Sequence, residues 1–345
     1  MKTKVALVGV GDISGIYLKN ITKRFTQLEL VGVCDLVREK AEQAAKQYGV
    51  KIYDDMHALF ADEQVDIVLN LTRPDEHFAV TQAALLAGKH VYTEKPLAAT
   101  FEQGKALFEL ARQKNLWLGG APDTFMGAGI QGSRALLEEI GQPVGFAAHM
   151  ICRGHESWHP DPEFYYKHGG GPMLDMGPYY VTALVQLFGP VQSVMAMTKR
   201  SYATRHITSE PLRGGVIEVD VPTHYTCLLR FAGDVTGTLV TSFDAYPPGV
   251  RNIELYGSLG TLSVPDPNNF DGDIQLQLGK DGYKKRKNPV KDYAENSRGV
   301  GLADMASAMQ EGRPAQASAE LILHVLEVLT AFERSSQSGQ VVEIN

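Results

Sequence analysis

The chain has 345 residues, a length that predicts two domains of ordinary size. Its 33 basic and 40 acidic residues give a formal net charge of −7 with no long basic run, which argues against a nucleic-acid-binding protein. No run of about 18 apolar residues occurs, so the sequence indicates no membrane-spanning helix.

The first third of the chain alternates short apolar runs with helical patterns. The apolar runs predict strands over residues 5–10, 28–34, 67–71, 90–92 and 117–118. Helical patterns lie between them, over residues 17–21, 38–48, 77–87 and 101–114. Strands that are separated by helices form parallel βαβ units. The sequence therefore predicts an α/β domain with a parallel, doubly wound sheet covered by helices on both faces.

The loops that follow the predicted strands carry the candidate cofactor-binding residues. Ligands of open parallel sheets bind at the carboxyl ends of the strands. Residues 9–14, Asp35, residues 72–77 and residues 94–96 fall at those ends. We accordingly predict a cofactor site formed by Gly9, Gly11, Asp12, Ile13, Asp35, Arg38, Thr72, Pro74, His77, Glu94 and Lys95.

Gly9 and Gly11 follow the first predicted strand and precede the first helix. Glycines there permit a tight turn and let backbone N–H groups approach a pyrophosphate at the helix N-terminus. Asp35 ends the second strand, near the spacing expected for the carboxylate that accepts hydrogen bonds from the ribose hydroxyls. The sequence therefore predicts NAD as the cofactor, with NADP as an alternative because Arg38 can reach a 2′-phosphate.

Beyond residue 122 the regular alternation stops. Strands are predicted over residues 143–153 and 191–203 and over most of 218–263, and helices over 173–188, 302–312 and 318–336. Apolar side chains recur at every second position from Tyr225 to Phe231, which is typical of a sheet with one covered face. We predict two domains, a dinucleotide-binding domain over residues 1–122 and an α+β domain with a large open mixed or antiparallel sheet over residues 123–345.

A loop over residues 153–167 combines aromatic, histidine and acidic side chains and is too polar for a core. Loops on a rigid scaffold commonly carry binding residues, and aromatic faces with hydrogen-bonding groups suit a sugar ring. His155, Trp158 and His159 are therefore candidate substrate-binding residues, and either histidine is a candidate base. The chain offers no clear third ligand beside these histidines, so we predict no metal site.

Several motifs together resemble those of the Gfo/Idh/MocA family, which includes glucose–fructose oxidoreductase and inositol dehydrogenase. They are Gly9-Val-Gly11, Asp35, residues 72–77, Glu94-Lys95-Pro96, the glycine-rich segment 169–177 and the closing segment 312–339. The resemblance covers essentially the whole chain. It implies a Rossmann domain joined to an open-faced mixed sheet, with a sugar, cyclitol or related polyol bound between them. It also implies a homodimer or homotetramer formed through the outer face of that sheet.

The resemblance also implies roles for individual residues. The family's lysine corresponds to Lys95, and a cis Lys95–Pro96 peptide bond is expected. The family's carboxylate corresponds to Asp175. Its usual histidine, four residues further on, is replaced by Tyr179, and its second aspartate by Thr182.

Tyr179 is therefore a candidate acid–base group beside Lys95 and Asp175, and these three form the predicted catalytic set, which also contacts substrate. Proline is tolerated in the first turn of a helix, so Pro178 indicates that Asp175 and Tyr179 lie at a helix entrance. A nearby ammonium lowers the pKa of a phenol, which would assist proton transfer. The alternative base is His155 or His159.

Taken together, these features predict a dehydrogenase or reductase that transfers a hydride between NAD(H) and a carbohydrate-like hydroxyl or carbonyl group. Two alternatives stay open: glycoside processing by transient oxidation with retained NAD, and a non-catalytic cofactor-binding regulator. The cysteines Cys34, Cys152 and Cys227 are far apart and no signal-peptide pattern occurs, which predicts a cytoplasmic protein with reduced thiols. Nucleic-acid and membrane partners are not expected.

Overall fold

The computed structural model describes residues 2–247 and 249–345. The chain forms two compact units. The first comprises the chain up to Asp123 together with Asn296–Leu326, and the second comprises Thr124–Glu295 and Glu327–Asn345. The first break in the chain falls at residue 123, and residues 296–326 pack with the first unit. Long-range hydrogen bonds hold them there, since the Asn20 side chain donates to the carbonyls of Asn296 and Arg298.

A six-stranded parallel sheet forms the centre of the first unit. Its strands are β1 (Thr3–Val8), β2 (Leu28–Cys34), β3 (Lys51–Ile52), β4 (Ile67–Asn70), β5 (His90–Thr93) and β6 (Leu118–Gly120). Their order is β3-β2-β1-β4-β5-β6, and every pair is parallel. The strand order reverses between β1 and β4, so the carboxyl ends of these two strands flank the point where ligands bind in such sheets. The predicted doubly wound fold is confirmed.

Helices connect the strands of this sheet. They are α1 (Ser14–Lys23), α2 (Arg38–Tyr48), α3 (Met56–Ala61), α4 (His77–Leu86) and α5 (Phe101–Gln113). The strands are buried on both faces, as Val5, Leu7, Ile67 and Val91 are fully inaccessible to solvent. Sequence reasoning missed β3 and α3, because a two-residue strand and a six-residue helix are too short for a periodic signal.

The second unit contains the predicted mixed sheet. Its elements include α6 (Ala128–Ala135) and the strands β7 (Pro143–Ile151), β8 (Val191–Lys199), β9 (Thr204–His206), β10 (Val216–Glu218), β11 (His224–Phe231), β12 (Thr236–Ser242), β13 (Ile253–Gly257), β14 (Gly260–Val264), β15 (Gln275–Leu278), β16 (Lys284–Lys285) and β17 (Val342–Glu343). Within the described residues the large sheet has the order β16-β15-β14-β13-β7-β12-β11-β8-β17, while β9 and β10 form a separate hairpin. Among the described strands of the large sheet only β7 and β12 pair in parallel, so their carboxyl ends lie side by side.

One face of the large sheet is covered and the other is open in the single chain. On β11 the side chains of Tyr225, Cys227, Leu229 and Phe231 are all at most 2% exposed. The residues between them face the other side, where Leu228 is 53% exposed. The alternation predicted from the sequence is therefore confirmed, since successive side chains of a strand point to opposite faces.

The segment around Asp175 forms two helices and not the single helix predicted over residues 173–188. They are α7 (Gly171–Asp175) and α8 (Gly177–Phe188), with Met176 between them. Pro178 lies in the first turn of α8, where its missing N–H costs no helical hydrogen bond. The placement of Pro178 and of a helix entrance at this point is confirmed.

Two helices close the chain, α9 (Val300–Glu311) and α10 (Ala319–Ser338). The first packs with β6 in the first unit, and the division between the units falls within α10 at Leu326. Even α10, with 20 residues, lacks the apolar character of a membrane-spanning helix, and no other helix of the described chain has the required length and hydropathy.

Candidate functional site

The turn between β1 and α1 requires glycine for its geometry. Gly9 has φ of +95°, a conformation that other residues rarely adopt. A Cβ atom on Gly9 would lie 2.7 Å from the carbonyl oxygen of Leu71, which follows β4. Gly11, in contrast, faces open space with no heavy atom within 4 Å of such a Cβ. The first glycine therefore serves the fold, and the second leaves room for a ligand to approach the backbone.

The residue at the N-cap position of α1 makes no side-chain capping hydrogen bond. No acidic residue lies in the first turn of this helix. The Ser14 hydroxyl donates to the carbonyl of Gly11 at 2.6 Å and does not accept from the helix. Ile13 occupies the cap position and Asp12 is exposed in the loop before it. The first N–H groups of a helix lack partners within the helix, and together with the positive end of the helix dipole they suit a pyrophosphate.

Asp35 lies beside this turn with its carboxylate fixed by the backbone. Its Oδ2 accepts from the Val10 N–H at 2.6 Å and its Oδ1 from the Val37 N–H at 2.7 Å. Each carboxylate oxygen retains a lone pair, so Asp35 can also accept from two hydroxyls. The exposed Arg38 pairs with Glu42 and Asp54, both at 3.0 Å. The Arg38 guanidinium, a candidate partner for a 2′-phosphate, is therefore already paired with two carboxylates.

His77 joins the loop after β4 to the loop after β5. The ring is 1% exposed, with Nδ1 2.7 Å from the carbonyl oxygen of Pro96 and Nε2 3.0 Å from that of Thr72. Burial lowers the pKa of this imidazole. Both ring nitrogens are occupied, so any effect of His77 on the cofactor passes through Thr72 and Pro96. Pro74 lies half exposed in the same loop.

The segment Glu94-Lys95-Pro96 contains the expected cis peptide bond between Lys95 and Pro96. Glu94 is 8% exposed, and its carboxylate accepts from the Tyr17 hydroxyl at 2.7 Å and from the Lys95 N–H at 2.9 Å. Burial, reinforced by Glu94, raises the pKa of Tyr17 well above its usual value. Glu94 therefore holds the backbone of Lys95, whose side chain is half-buried. The role of Tyr17 was not predicted, since it depends on a contact between distant parts of the chain.

The polar groups of the first unit fit a dinucleotide. The uncapped N-terminus of α1 suits its phosphates, and the Asp35 carboxylate suits its ribose hydroxyls. Leu36 follows Asp35 and is fully exposed, which offers an apolar surface to a base at the same edge. Sequence reasoning did not single out Leu36, because only the structure shows that this apolar side chain is uncovered.

His155 and Asp175 form a pair in the second unit. The His155 Nε2 and Asp175 Oδ2 atoms are 3.3 Å apart, and the two side chains are 12% and 15% exposed. This distance is within reach of an ion pair, but the angles do not make a hydrogen bond, and neither ring nitrogen has a hydrogen-bond partner among the described residues. The arrangement places an imidazole with free nitrogens beside a carboxylate.

Aromatic side chains surround His155. The ring centroid of Tyr165 lies 4.1 Å from that of His155, Phe243 at 4.5 Å and Trp158 at 5.2 Å. Trp158 is 60% exposed and so remains available to a ligand. Phe243 follows β12 directly, and the parallel pairing of β7 and β12 explains why it meets a loop that follows β7. Its contribution could not be predicted from local sequence.

His159 is fixed within the same loop. Its Nδ1 accepts from the Asp161 N–H at 3.0 Å, and its ring contacts those of Phe164 and Tyr165 at 5.4 and 5.2 Å. The Ser209 hydroxyl donates to the carbonyl of His159 at 2.6 Å. His159 is thus held within its own loop, while His155 pairs with the predicted catalytic carboxylate.

A buried network of charged side chains holds the loop that carries His155. Arg205, on β9, is 4% exposed and donates to Glu156 Oε1 at 2.9 Å, to Asp244 and to the carbonyl of Phe243 at 2.9 Å. The Tyr166 hydroxyl donates to the other oxygen of Glu156, and burial raises the pKa of Tyr166. Arg205 was not predicted as a site residue, because it reaches the loop from a short hairpin about 50 residues further along the chain.

Tyr179 lies in the first turn of α8 and is 7% exposed. Its neighbour Tyr180 accepts from the Asn252 side chain at 2.8 Å and is 1% exposed, as expected for a packing residue. Since Met176 separates α7 from α8, Asp175 and Tyr179 do not share the face of one continuous helix. No group of three side chains suited to a metal ion occurs in the described part of the chain.

Comparisons with known proteins agree with this architecture. The chain matches the oxidoreductase family with an NAD-binding Rossmann fold over residues 3–119 and the GFO/IDH/MocA C-terminal domain over residues 133–263. An uncharacterized oxidoreductase of Schizosaccharomyces pombe is 24% identical over 330 residues, 86% of either protein.

Two further proteins are similar over a shorter stretch or in fold alone. An inositol 2-dehydrogenase/D-chiro-inositol 3-dehydrogenase of Lactiplantibacillus plantarum is 38% identical over 103 residues, so the match spans 29% of each chain. The structure of a levoglucosan dehydrogenase in complex with NADH and L-sorbose superposes with a TM-score of 0.83 at 21% sequence identity. The match covers 100% of both chains. At that identity the likeness concerns the fold alone.

Proposed function

Because this chain belongs to the Gfo/Idh/MocA family of NAD-binding oxidoreductases, we propose that it transfers a hydride between NAD and a hydroxyl or carbonyl group of a sugar, cyclitol or related polyol. The predicted cofactor and enzyme class are confirmed by that membership. Named relatives support the substrate class, since one is an inositol dehydrogenase and another a D-xylose dehydrogenase of Paenarthrobacter nicotinovorans.

The observation that carries the proposal is the His155–Asp175 pair. Oxidation of an alcohol releases a proton from oxygen, and an imidazole titrates in the range where enzymes use a general base. The Asp175 carboxylate stabilises the positive charge that His155 gains on taking this proton. The surrounding rings of Trp158 and Tyr165 suit the C–H faces of a sugar.

Lys95 supplies the positive charge of the proposed mechanism. The Glu94 carboxylate accepts from the Lys95 N–H and His77 contacts the Pro96 carbonyl, so the loop that carries Lys95 is anchored on both sides. An ammonium lowers the energy of the developing alkoxide, while bound NAD provides the hydride acceptor. Gly9, Gly11 and Asp35 contribute the backbone and carboxylate groups that bind this cofactor.

Tyr179 is the competing proton acceptor. The sequence analysis assigned it to the position of the family's histidine, and it stays a candidate. The geometry supports His155, because its Nε2 lies 3.3 Å from Asp175 Oδ2, whereas Tyr179 and Asp175 lie on separate helices.

The proposal is tested by assaying NAD reduction at 340 nm with a panel of polyols, aldoses and glycosides. His155→Asn should lower turnover by about 10²–10⁴-fold and Lys95→Ala by at least about 10²-fold, the usual effects of removing acid–base and electrostatic groups. Tyr179→Phe should stay within about threefold of wild type, the level at which no acid–base role remains. The matched control is His168→Asn, an exposed histidine of the same region.

Three results would change this assignment. If the His155→Asn protein is fully active and the Tyr179→Phe protein is inactive, the general base is Tyr179 and not His155. Consumption of a glycoside without net NADH would indicate transient oxidation with retained cofactor. No turnover of any carbohydrate, with NADH still bound, would refute the substrate class.

We also propose that the protein forms a homodimer or homotetramer through the open face of the large sheet. Neighbouring positions there expose apolar side chains, with Met197 at 75%, Leu228 at 53% and Tyr256 at 38%. The pairing of Met197 with Thr226 puts Met197 on the same face as Leu228. Exposed apolar side chains on one face of a sheet commonly mark an interface.

A cytoplasmic location is proposed on the state of the cysteines. All three are free thiols, and Cys34 and Cys227 are buried. Free thiols fit a reducing compartment, where disulfides are rare.

A further inference from the structure

Arg153 follows β7 and precedes His155 by two residues. Its guanidinium carbon lies 5.4 Å from the ring centroid of Tyr202 and 5.9 Å from that of Tyr246. The side chain is half-buried, and its Nη1 atom is buried without a hydrogen-bond partner in the described residues. A cation two residues from the proposed base along the chain thus lies over two aromatic rings.

The carboxylates of this region have other partners. Arg205 takes one oxygen of Glu156 and one of Asp244. The second oxygen of Glu156 accepts from Tyr166, and the second oxygen of Asp244 accepts from the Thr223 hydroxyl at 2.6 Å. Asp175 pairs with His155. Arg153 forms an ion pair with none of them, although Arg205 shares the Tyr202 ring with it at 5.0 Å.

An unpaired guanidinium in this setting favours an anion. Arginine is rarely withdrawn from water without a paired charge, because desolvation of the cation is costly. A cation–π contact offsets only part of that cost. The planar fork of the guanidinium matches a carboxylate or phosphate, which can bind it through two parallel hydrogen bonds.

We propose that Arg153 recognises an anionic group on the substrate, so that this enzyme acts on an acidic sugar, carrying a carboxylate or a phosphate, in preference to a neutral one. The inference rests on the proposed function, since it specifies the substrate of the same site. Tyr246 is 77% exposed and Tyr202 is 45% exposed, which leaves their rings open to the sugar while Arg153 holds its charge.

The test compares matched probes on the NAD-loaded enzyme. D-glucose is compared with D-glucuronate and with D-glucose 6-phosphate, both in the 340 nm assay and by calorimetric binding to the NADH complex. Wild type should bind at least one acidic probe at least about 10-fold more tightly than D-glucose, as expected for charge-assisted hydrogen bonds. The acid that binds better distinguishes a carboxylate from a phosphate site.

Arg153→Met should remove this preference, lowering the affinity for the acidic probe by about 10–100-fold while the affinity for D-glucose changes by less than about threefold. Arg153→Lys retains the charge and should keep part of the preference, which guards against misfolding of the methionine variant. The control is Arg251→Met. Arg251 also lies over a tyrosine ring, 4.0 Å from that of Tyr283, but it is paired with Glu254.

The inference is wrong if wild type binds D-glucose as tightly as both acids, or if Arg153→Met and Arg251→Met reduce acid binding equally. Either result leaves the proposed function intact wherever a neutral carbohydrate is oxidised. Conversely, tight binding of an acid without oxidation of any carbohydrate supports the role of Arg153 and counts against the proposed reaction.

Discussion

The Asp35 carboxylate has two remaining lone pairs beside the cofactor turn, which decides the predicted choice of dinucleotide. A negative charge here accepts from ribose hydroxyls and repels a 2′-phosphate. We expect wild type to bind NADH at least about 10-fold more tightly than NADPH, and Asp35→Ser to remove or invert that ratio. Fluorescence titration of both cofactors measures it.

Arg38→Ala is the control for this prediction. Since Arg38 is already paired with Glu42 and Asp54, its removal should leave the ratio unchanged. Tighter binding of NADPH than NADH by wild type would contradict the role of Asp35.

Asp123 is a buried carboxyl whose ionisation should be visible in protein stability. It is 1% exposed and accepts from the N–H groups of Gly299 at 2.8 Å and Gly301 at 3.1 Å. Burial raises its pKa to about 6, and the nearby Glu94 adds to the effect. The folded protein therefore binds this proton more tightly than the unfolded chain.

The stability that comes from the protonated Asp123 is complete below the unfolded pKa near 4 and is lost as pH rises through about 6. Asp123→Asn does not titrate, so its free energy of unfolding relative to wild type should rise between pH 4 and pH 7.5. The relative gain should be at most about 3 kcal/mol. Urea unfolding of both proteins at the two pH values gives the difference, and a pH-independent difference would disprove the assignment.

At the scale of single elements, the β1–α1 turn separates a structural glycine from a ligand-binding one. Gly9→Ala should destabilise the protein by about 1–3 kcal/mol, because its φ of +95° and the Leu71 carbonyl at 2.7 Å both oppose a Cβ. Gly11→Ala should fold normally, since nothing lies within 4 Å of the added atom. It should nevertheless weaken NADH binding by at least about 10-fold, because the methyl group occupies the approach to the pyrophosphate.

Thermal unfolding without cofactor and NADH titration together distinguish the two variants. Equal loss of stability in both would mean that Gly11 also serves the turn. Unchanged NADH affinity in Gly11→Ala would mean that the cofactor does not approach this backbone.

At the scale of the whole molecule, the open face of the large sheet carries the prediction of self-association. Leu228→Lys places a charge in the middle of that face and should shift the protein toward monomers. Light scattering coupled to size exclusion measures the mass. Lys280→Glu, at an exposed position beyond β15, is the control. A wild-type monomer would refute the proposed interface.

The sequence by itself determined the features that depend on neighbouring residues. Hydrophobic periodicity predicts the alternating strands and helices of the first unit and the one-sided strand β11, because each period depends only on local geometry. The glycine turn, Asp35 and Pro178 are also local signals, since each reports a backbone conformation or a position next to a strand or helix end.

The tertiary structure alone decided which distant groups meet. His155 faces Asp175 because α7 packs against β12 and against residues 163–166 of the His155 loop, whereas the family resemblance pointed to Tyr179. Arg205 reaches Glu156 from a hairpin, and residues 296–326 return to the first unit through contacts with Asn20 and Asp123. Such contacts depend on the order of the strands in the sheet and on which distant segments pack together. Neither of these produces a periodic pattern in the sequence.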